Sequence, residues 1–374
     1  MKKRKNETVV LRHKERENIV MKKAVKIIGI LILIFAVMFA GLFVYLTVTE
    51  YCPKEKERLF ANGSLSGKSL KRQKMIKVLT WNVGYGALGE RADFFLDGGK
   101  HVKSASKSEV ESNINGIAEY LNKADPDIFL LQELDQKATR SYYINEVEVI
   151  SNLVKGYRST FAYNFKVGWI PYPLPMIGQV NAGIGTYSKF PIKRADRLRL
   201  PTPFSWPVRT VNLKRCLAVH RFAVKDTKRE LVVVNLHLEA YDKGEGKRKQ
   251  TELLRKFFEI EVKKGNYVIA GGDFNQSFSN INRKQYSAQE GLWKPGVINI
   301  KEFRSDIRFC MDTTCPTCRS LDKPLYGSEQ KTFQFYMIDG FMVSKNITVV
   351  SCRTQNLKFV HSDHNPVELK IKLK

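Results

Sequence analysis

The stretch Tyr267-Val268-Ile269-Ala270-Gly271-Gly272-Asp273-Phe274-Asn275-Gln276 constrains this chain more than any other. An apolar run of strand length ends in two glycines and then presents an acid and an amide two residues apart. Glycine lacks a Cβ, so it lets a backbone turn sharply or lets a ligand approach closely, and Asp273 and Asn275 can then both face a cleft. Taken alone, the same residues also describe a strand closing in an Asx-type turn. The rest of the chain decides between the two.

Other segments repeat the pattern. Lys77-Val78-Leu79-Thr80-Trp81-Asn82 reads as a strand ending at Asn82 and broken by Gly84, Gly86 and Gly89. Glu109 to Leu121 places Val110, Ile114, Ile117, Ala118 and Leu121 at helical spacing, and Asp125-Pro126 stops that helix. Asp127 to Glu133 is a second buried strand that closes in polar groups, so strand, helix and strand form a βαβ-type unit of a mixed or parallel sheet. Residues 144–155 read as helical and Arg158 to Tyr163 as extended. The Pro, Trp and Tyr run 165–180 reads as a structured loop, either a rim that meets substrate or membrane or one packed on its own aromatics. Strands follow at 183–188, 211–224 and 231–237, and the last delivers Asn235 and His237 on one face. An amphipathic helix, Arg248 to Val262, feeds the Tyr267 strand. Asp339 lies embedded among apolar residues, where a buried acid needs a partner, and His364, in the turn Ser362-Asp363-His364 before the last strand, fits that need.

The amino-terminal part obeys a different rule. Ile27 to Val48 is 22 residues without a charge, and at ~1.5 Å per residue such a helix spans a ~30 Å hydrocarbon core. A signal-peptide core is shorter, ~7–15 residues, and is followed by a small-x-small cleavage site. Lys22, Lys23 and Lys26 precede the span, so the positive-inside bias puts the amino terminus in the cytoplasm and the bulk of the chain outside. Met21-Lys22-Lys23 also has the form of an alternative start. The chain divides into a basic tail (1–26), the span (27–49), a Lys-, Ser- and Gly-rich linker (50–75) and one folded domain (76–374). Of the net charge of +26, +7 precedes Ile27 and +19 lies beyond it. A basic surface suits polyanions such as nucleic acid, teichoic-type polymers or acidic lipid headgroups; it also serves solubility.

Six cysteines occur, Cys52, Cys216, Cys310, Cys315, Cys318 and Cys352. Outside the membrane the cluster at 310–318 with Cys352 suits disulfides. A four-thiolate zinc site is the competing expectation, although only one Cys-x2-Cys knuckle is present, and free thiols are the third.

Six motifs stand in order over residues 77–370: Trp81-Asn82, Gln132-Glu133, Asn235-Leu236-His237, Gly272-Asp273-Phe274-Asn275, Ile338-Asp339-Gly340 and Ser362-Asp363-His364. Together they resemble the endonuclease/exonuclease/phosphatase superfamily, and in particular a membrane-anchored Gram-positive branch of it. The resemblance implies a four-layer α/β sandwich of two mixed β-sheets flanked by helices, here preceded by one transmembrane helix, with the active site at one edge of the sandwich. It also implies a metal-dependent phosphoesterase that uses Mg²⁺ or Mn²⁺. Glu133 would be the main metal ligand, supported by Asn82, with Asp363 at the metal side. Asp273 would orient or deprotonate the attacking water, and Asn275 would hold a phosphate oxygen. His364, oriented by Asp339, and His237 would flank the phosphate. No acidic partner for His237 is identifiable in the sequence.

A nuclease is favoured by the basic excess, because phosphate backbones reward Lys and Arg. A sphingomyelinase or phospholipase C-like lipid phosphodiesterase is favoured by the anchor and by the Trp169–Pro175 segment. A phosphatase of soluble esters ranks third. A surface protein that keeps the scaffold for binding alone is the alternative from another class. The expected partners are an anionic phosphodiester, whether nucleic acid or phospholipid headgroup, and the bilayer holding the helix.

Overall fold

The computed structural model describes residues 2–63, 69–282, 286 and 289–374, with side chains from residue 12 onward. Residues 64–68, in the expected linker, and 283–285 and 287–288, in the Cys-bearing stretch, lie outside the described residues. The chain separates between Glu50 and Tyr51 into two units. The first is a single helix, α1 (Lys2–Val48). Its part from Arg12 to Val48, within which the expected span from Ile27 lies, is long and apolar enough to cross a membrane.

The second unit opens with β1 (Lys56–Leu59), β2 (Ile76–Asn82), α2 (Lys107–Ala124), β3 (Ile128–Ala138), α3 (Glu146–Leu153), β4 (Arg158–Ile170) and β5 (Gly178–Ser188). It continues with β6 (Arg194–Arg199), β7 (Cys216–Ala223), β8 (Glu230–His237), α4 (Glu245–Lys263) and β9 (Tyr267–Asp273). Five short strands follow, β10 (Gln276–Phe278), β11 (Gly296–Ile298), β12 (Ile307–Cys310), β13 (Cys318–Arg319) and β14 (Phe335–Tyr336), and the chain closes with β15 (Asp339–Ser344), β16 (Ile347–Thr354) and β17 (Val367–Leu373).

Two mixed sheets result. One has the order β1-β6-β7-β8-β9-β15-β12 and the other β16-β17-β2-β3-β5-β4. Each contains one parallel pair, β2 with β3 and β8 with β9. The crossovers between these pairs are α2 and α4, because a parallel pair needs a long connection. Ile76, Val78, Ile128 and Leu130 from one sheet meet Leu231, Val233, Ile269 and Phe341 from the other in the central core. Residues of opposite parity bury the helices. Leu79, Trp81, Phe129 and Leu131 take Val110, Ile114, Ile117 and Leu121 of α2, and Val232, Val234 and Val268 take Leu254 and Phe258 of α4. These strands are apolar on both faces because both faces are covered. The order of layers is helix, sheet, sheet, helix, as the resemblance implied.

Some expectations need correction. The 165–180 segment is mostly a β-hairpin: β4 runs to Ile170 and β5 starts at Gly178, leaving 171–177 as its tip. Val167, Ile170 and Val180 explain this, since they bury one face of the arms against Ala138 and Ala182. Lys56–Leu59, inside the expected linker, pairs antiparallel with β6; four alternating residues are too few for a strand period to stand out. The strand expected at 211–224 starts at Cys216, after a 3₁₀ turn at Val208–Val211. Cys310 and Cys352 pack on the central core, whereas Cys318 joins Tyr336 and Ile338 in a separate cluster. The described cysteines are free thiols.

Candidate active site

Chain direction brings the polar motifs to one rim. β2, β8 and β9 end there with Asn82, His237 and Asp273, while antiparallel β15 begins there with Asp339 directly opposite Asp273. Residues 362–364 precede β17, which is antiparallel to β2 and so starts at the same edge. Glu133 arrives differently. β3 does not end at it, as expected, but runs on to Ala138. The pairing with β5 shifts between Leu131 and Leu134, and Glu133 takes φ 54°. Such a bulge re-aims a side chain. Gln132 turns inward and donates to Asn235 Oδ1 across the sheets (2.8 Å), while Asn235 donates to Gly185 O (2.8 Å).

The eight expected site residues come together. Asn82 Nδ2 donates to Glu133 Oε1 (3.1 Å) and Asp273 Oδ2 (3.2 Å). His237 Nε2 lies 3.5 Å from Asp273 Oδ2 and 3.9 Å from Glu133 Oε1. His364 Nδ1 bonds Asp339 Oδ2 (2.8 Å), and its Nε2 lies 3.9 Å from both Asp273 Oδ2 and Asp363 Oδ2. The Asn275 backbone N–H donates to Asp273 Oδ1 (2.8 Å), and its amide donates to Leu238 O (2.9 Å). The Nδ1 atom of His237 is buried and has no hydrogen-bond partner among the described residues.

Burial sets the electrostatics. It raises Asp273 to about 7, with Asp339 adding repulsion, and Asp363 to about 6, with Glu133 adding repulsion. Burial depresses His237, reinforced by Arg215, well below its usual range. Burial opposes charge on His364 more than any single neighbour favours it, but Asp339, Cys318 and Asp363 together outweigh it and hold the imidazolium well above 6.5. Glu133, Asp363 and Asn82 offer hard oxygen donors around crowded carboxylate charge, a set that fits Mg²⁺ or Mn²⁺. Asp273, Asp339 and His364 also lie close enough together to share an ion.

Several neighbours carry no signal in the sequence. Arg140 forks onto Asp135 (3.0 and 2.9 Å) and stacks 3.6 Å over the Tyr85 ring. Tyr241 donates to Asp97 (3.2 Å), and burial, then Asp363, pushes Asp97 up to about 7. Arg215 ties Glu239 (3.3 Å) to the His237 carbonyl (3.2 Å). They sit outside the strand-end motifs, and only the folded chain brings them to the site.

Residues 79–364 match the endonuclease/exonuclease/phosphatase family. The chain belongs to that family. Its members hydrolyse phosphate esters, and this endonuclease/exonuclease/phosphatase protein is accordingly a phosphoester hydrolase. Among solved structures, an endonuclease/exonuclease/phosphatase from Beutenbergia cavernae DSM 12333 is 16% identical with TM-score 0.54, covering 80% of this chain and 72% of that one. A family protein from Leptotrichia buccalis C-1013-b is 17% identical with TM-score 0.51, covering 80% and 100%. The human Nocturnin catalytic domain is 18% identical with TM-score 0.49, covering 84% and 97%. At these identities the likeness is one of fold. No curated protein matches the sequence.

Proposed function

We propose that this family member is a membrane-anchored, metal-dependent phosphodiesterase acting by in-line attack of water, with nucleic acid favoured as substrate. The observation carrying the reading is the convergence of Glu133, Asn82 and Asp363 with the Asp273, His237 and Asp339–His364 groups at one rim. Glu133, Asn82 and Asp363 would hold Mg²⁺ or Mn²⁺, which would supply polarisation of the phosphoryl oxygens. Asp273, fixed by Asn82 and the Asn275 backbone, orients the water and accepts its proton. His364, kept charged by Asp339, and His237 donate to the phosphate oxygens as negative charge grows. Asn275 Nδ2 has a second hydrogen for a phosphate oxygen beyond its bond to Leu238 O.

The apolar part of α1 forms the anchor, with the amino terminus cytoplasmic and residues 76–374 as the extracytoplasmic catalytic domain. A lipid phosphodiesterase is the second reading. It is favoured by the tip of the β4–β5 hairpin, where Tyr172 and Leu174 are 75% and 83% exposed; aromatic and aliphatic tips suit a membrane interface.

Plasmid DNA, RNA, sphingomyelin, inositol phosphates and bis-p-nitrophenyl phosphate, each assayed with Mg²⁺ and with EDTA, test the proposal. The expected result is metal-dependent hydrolysis of a diester that Asp273→Ala abolishes. Hydrolysis surviving Asp273→Ala sinks the mechanism, and turnover of sphingomyelin alone hands the site to the lipid reading.

A further inference from the structure

Cys318 is the one thiol built into the site, and nothing in the phosphoester chemistry uses it. Its placement comes from the backbone. Cys318 and His364 form an antiparallel bridge, flanked by Arg319 N–H to Asp363 O (3.0 Å) and Asn365 N–H to Thr317 O (2.8 Å). Those flanking bonds make 318 and 364 a non-hydrogen-bonded pair, the kind whose side chains approach most closely. Cys318 Sγ, a carboxylate oxygen of Asp363 and a ring nitrogen of His364 accordingly lie within 4.8 Å of one another, all three residues buried.

We propose that Cys318, Asp363 and His364 form a binding site for a thiophilic divalent cation such as Zn²⁺, and that filling it switches the hydrolase off. The donor set is sulfur, nitrogen and oxygen, which selects Zn²⁺ over Mg²⁺ because thiolate is a soft ligand. His364 is prepared for it. Nδ1 is engaged by Asp339 Oδ2 at 2.8 Å, the outer-sphere carboxylate that fixes the tautomer of metal-binding histidines, and Nε2 faces Asp363 Oδ2 at 3.9 Å. Tetrahedral Zn²⁺ with ligands at ~2.0–2.3 Å needs donors about 3.3–3.6 Å apart, so the 3.9 Å between His364 Nε2 and Asp363 Oδ2 closes by roughly half an ångström, and Cys318 Sγ, within 4.8 Å of both, by about an ångström at most. Binding releases two protons to solvent, the Cys318 thiol proton and the proton on His364 Nε2, and leaves a Zn–S and a Zn–N bond. The inhibitory half rests on the proposed roles of His364 and Asp363, which the ion would withdraw from the phosphate and from the hard-metal side.

The test separates the two halves. Full-length protein in detergent is titrated with Co²⁺ as a spectroscopic stand-in for Zn²⁺, in the presence of Mg²⁺. The expected result is a sulfur-to-cobalt charge-transfer band of one equivalent that Zn²⁺ abolishes, that Cys318→Ser lacks and that Cys315→Ser and Cys352→Ser retain. X-ray absorption of the Zn²⁺-loaded wild-type protein, which depends on no variant's folding, should give one sulfur neighbour. No band, a band that survives in folded Cys318→Ser, or an all-oxygen and nitrogen shell overturns the site whether or not any substrate is cleaved. With the band in place, Zn²⁺ should inhibit Mg²⁺-supported hydrolysis, and Cys318→Ser should raise the half-inhibiting concentration about tenfold or more. Equal Zn²⁺ sensitivity in the two proteins overturns the switch while leaving the mechanism at Asp273 standing.

Discussion

Asp273 is 2% exposed and shares a cross-strand register with Asp339, a second buried acid. Two carboxylates so placed favour holding a proton, and burial accordingly moves Asp273 from 3.8 to about 7 and Asp363 from 3.8 to about 6. His237, depressed in the fold, works in the opposite direction, but its unfolded imidazole, about half protonated at pH 6.5, is about nine-tenths neutral by pH 7.5, so its weight fades across this range. The raised Asp273 and the raised His364 then leave the folded protein with more protons than the unfolded chain, so stability falls as pH rises through about 7. In EDTA, the melting temperature should therefore drop between pH 6.5 and 7.5, and Mg²⁺ should restore it most at the upper end by neutralising the same carboxylates. Differential scanning fluorimetry at the two pH values checks this, and a melting temperature that rises with pH in EDTA contradicts it. These acids were legible because each follows or precedes an apolar strand. Arg140, Tyr85, Tyr241 and Asp97 were not, since Tyr241 and Asp97 stand 144 residues apart and meet only through the fold.

At the level of elements, the glycines of β9 do something other than turn the chain. A Cβ on Gly272, whose φ is +150°, would lie 1.9 Å from Leu236 O of parallel β8, and one on Gly271 would lie 2.4 Å from the Phe341 ring of β15. The strand is central, with β8 on one side and β15 on the other, and its glycines allow backbone and ring to close over it. Gly272→Ala should thus cost about 1–3 kcal/mol or more as overpacking, read as a lower urea midpoint at unchanged slope. It should also reduce hydrolysis, because Asp273 is the next residue. A midpoint within experimental error of wild type would show that β8 and β9 can part without penalty. The apolar runs of β2, β3, β8 and β9 and the period of α2 and α4 could be read from sequence because covered faces demand them. The bulge at Glu133 could not, since Gln132-Glu133-Leu134-Asp135 continues a plausible alternation, and only pairing with β5 reveals that Glu133 has been turned to the rim.

For the whole molecule, the chain divides between Glu50 and Tyr51 into the apolar helix and the sandwich. All eight site residues belong to the second unit, and so does every strand that carries them. Removing residues 1–50 should then release a water-soluble protein with the full-length turnover number on a small soluble diester, whereas the full chain should sediment with membranes. The basic excess makes a further demand on the released unit, since +19 of the net charge lies beyond residue 26. If that charge serves a nucleic-acid substrate, the logarithm of its DNA affinity should fall linearly with the logarithm of salt concentration, by about 0.9 per phosphate contacted. A lipid enzyme would instead bind neutral vesicles through the Tyr172–Leu174 tip with little response to salt, because apolar insertion releases no counterions. Filter binding across a salt series, beside vesicle flotation of wild type and Leu174→Ser, separates the two. A flat salt response together with flotation that Leu174→Ser abolishes would move the proposed substrate from nucleic acid to lipid without disturbing the chemistry proposed at Asp273.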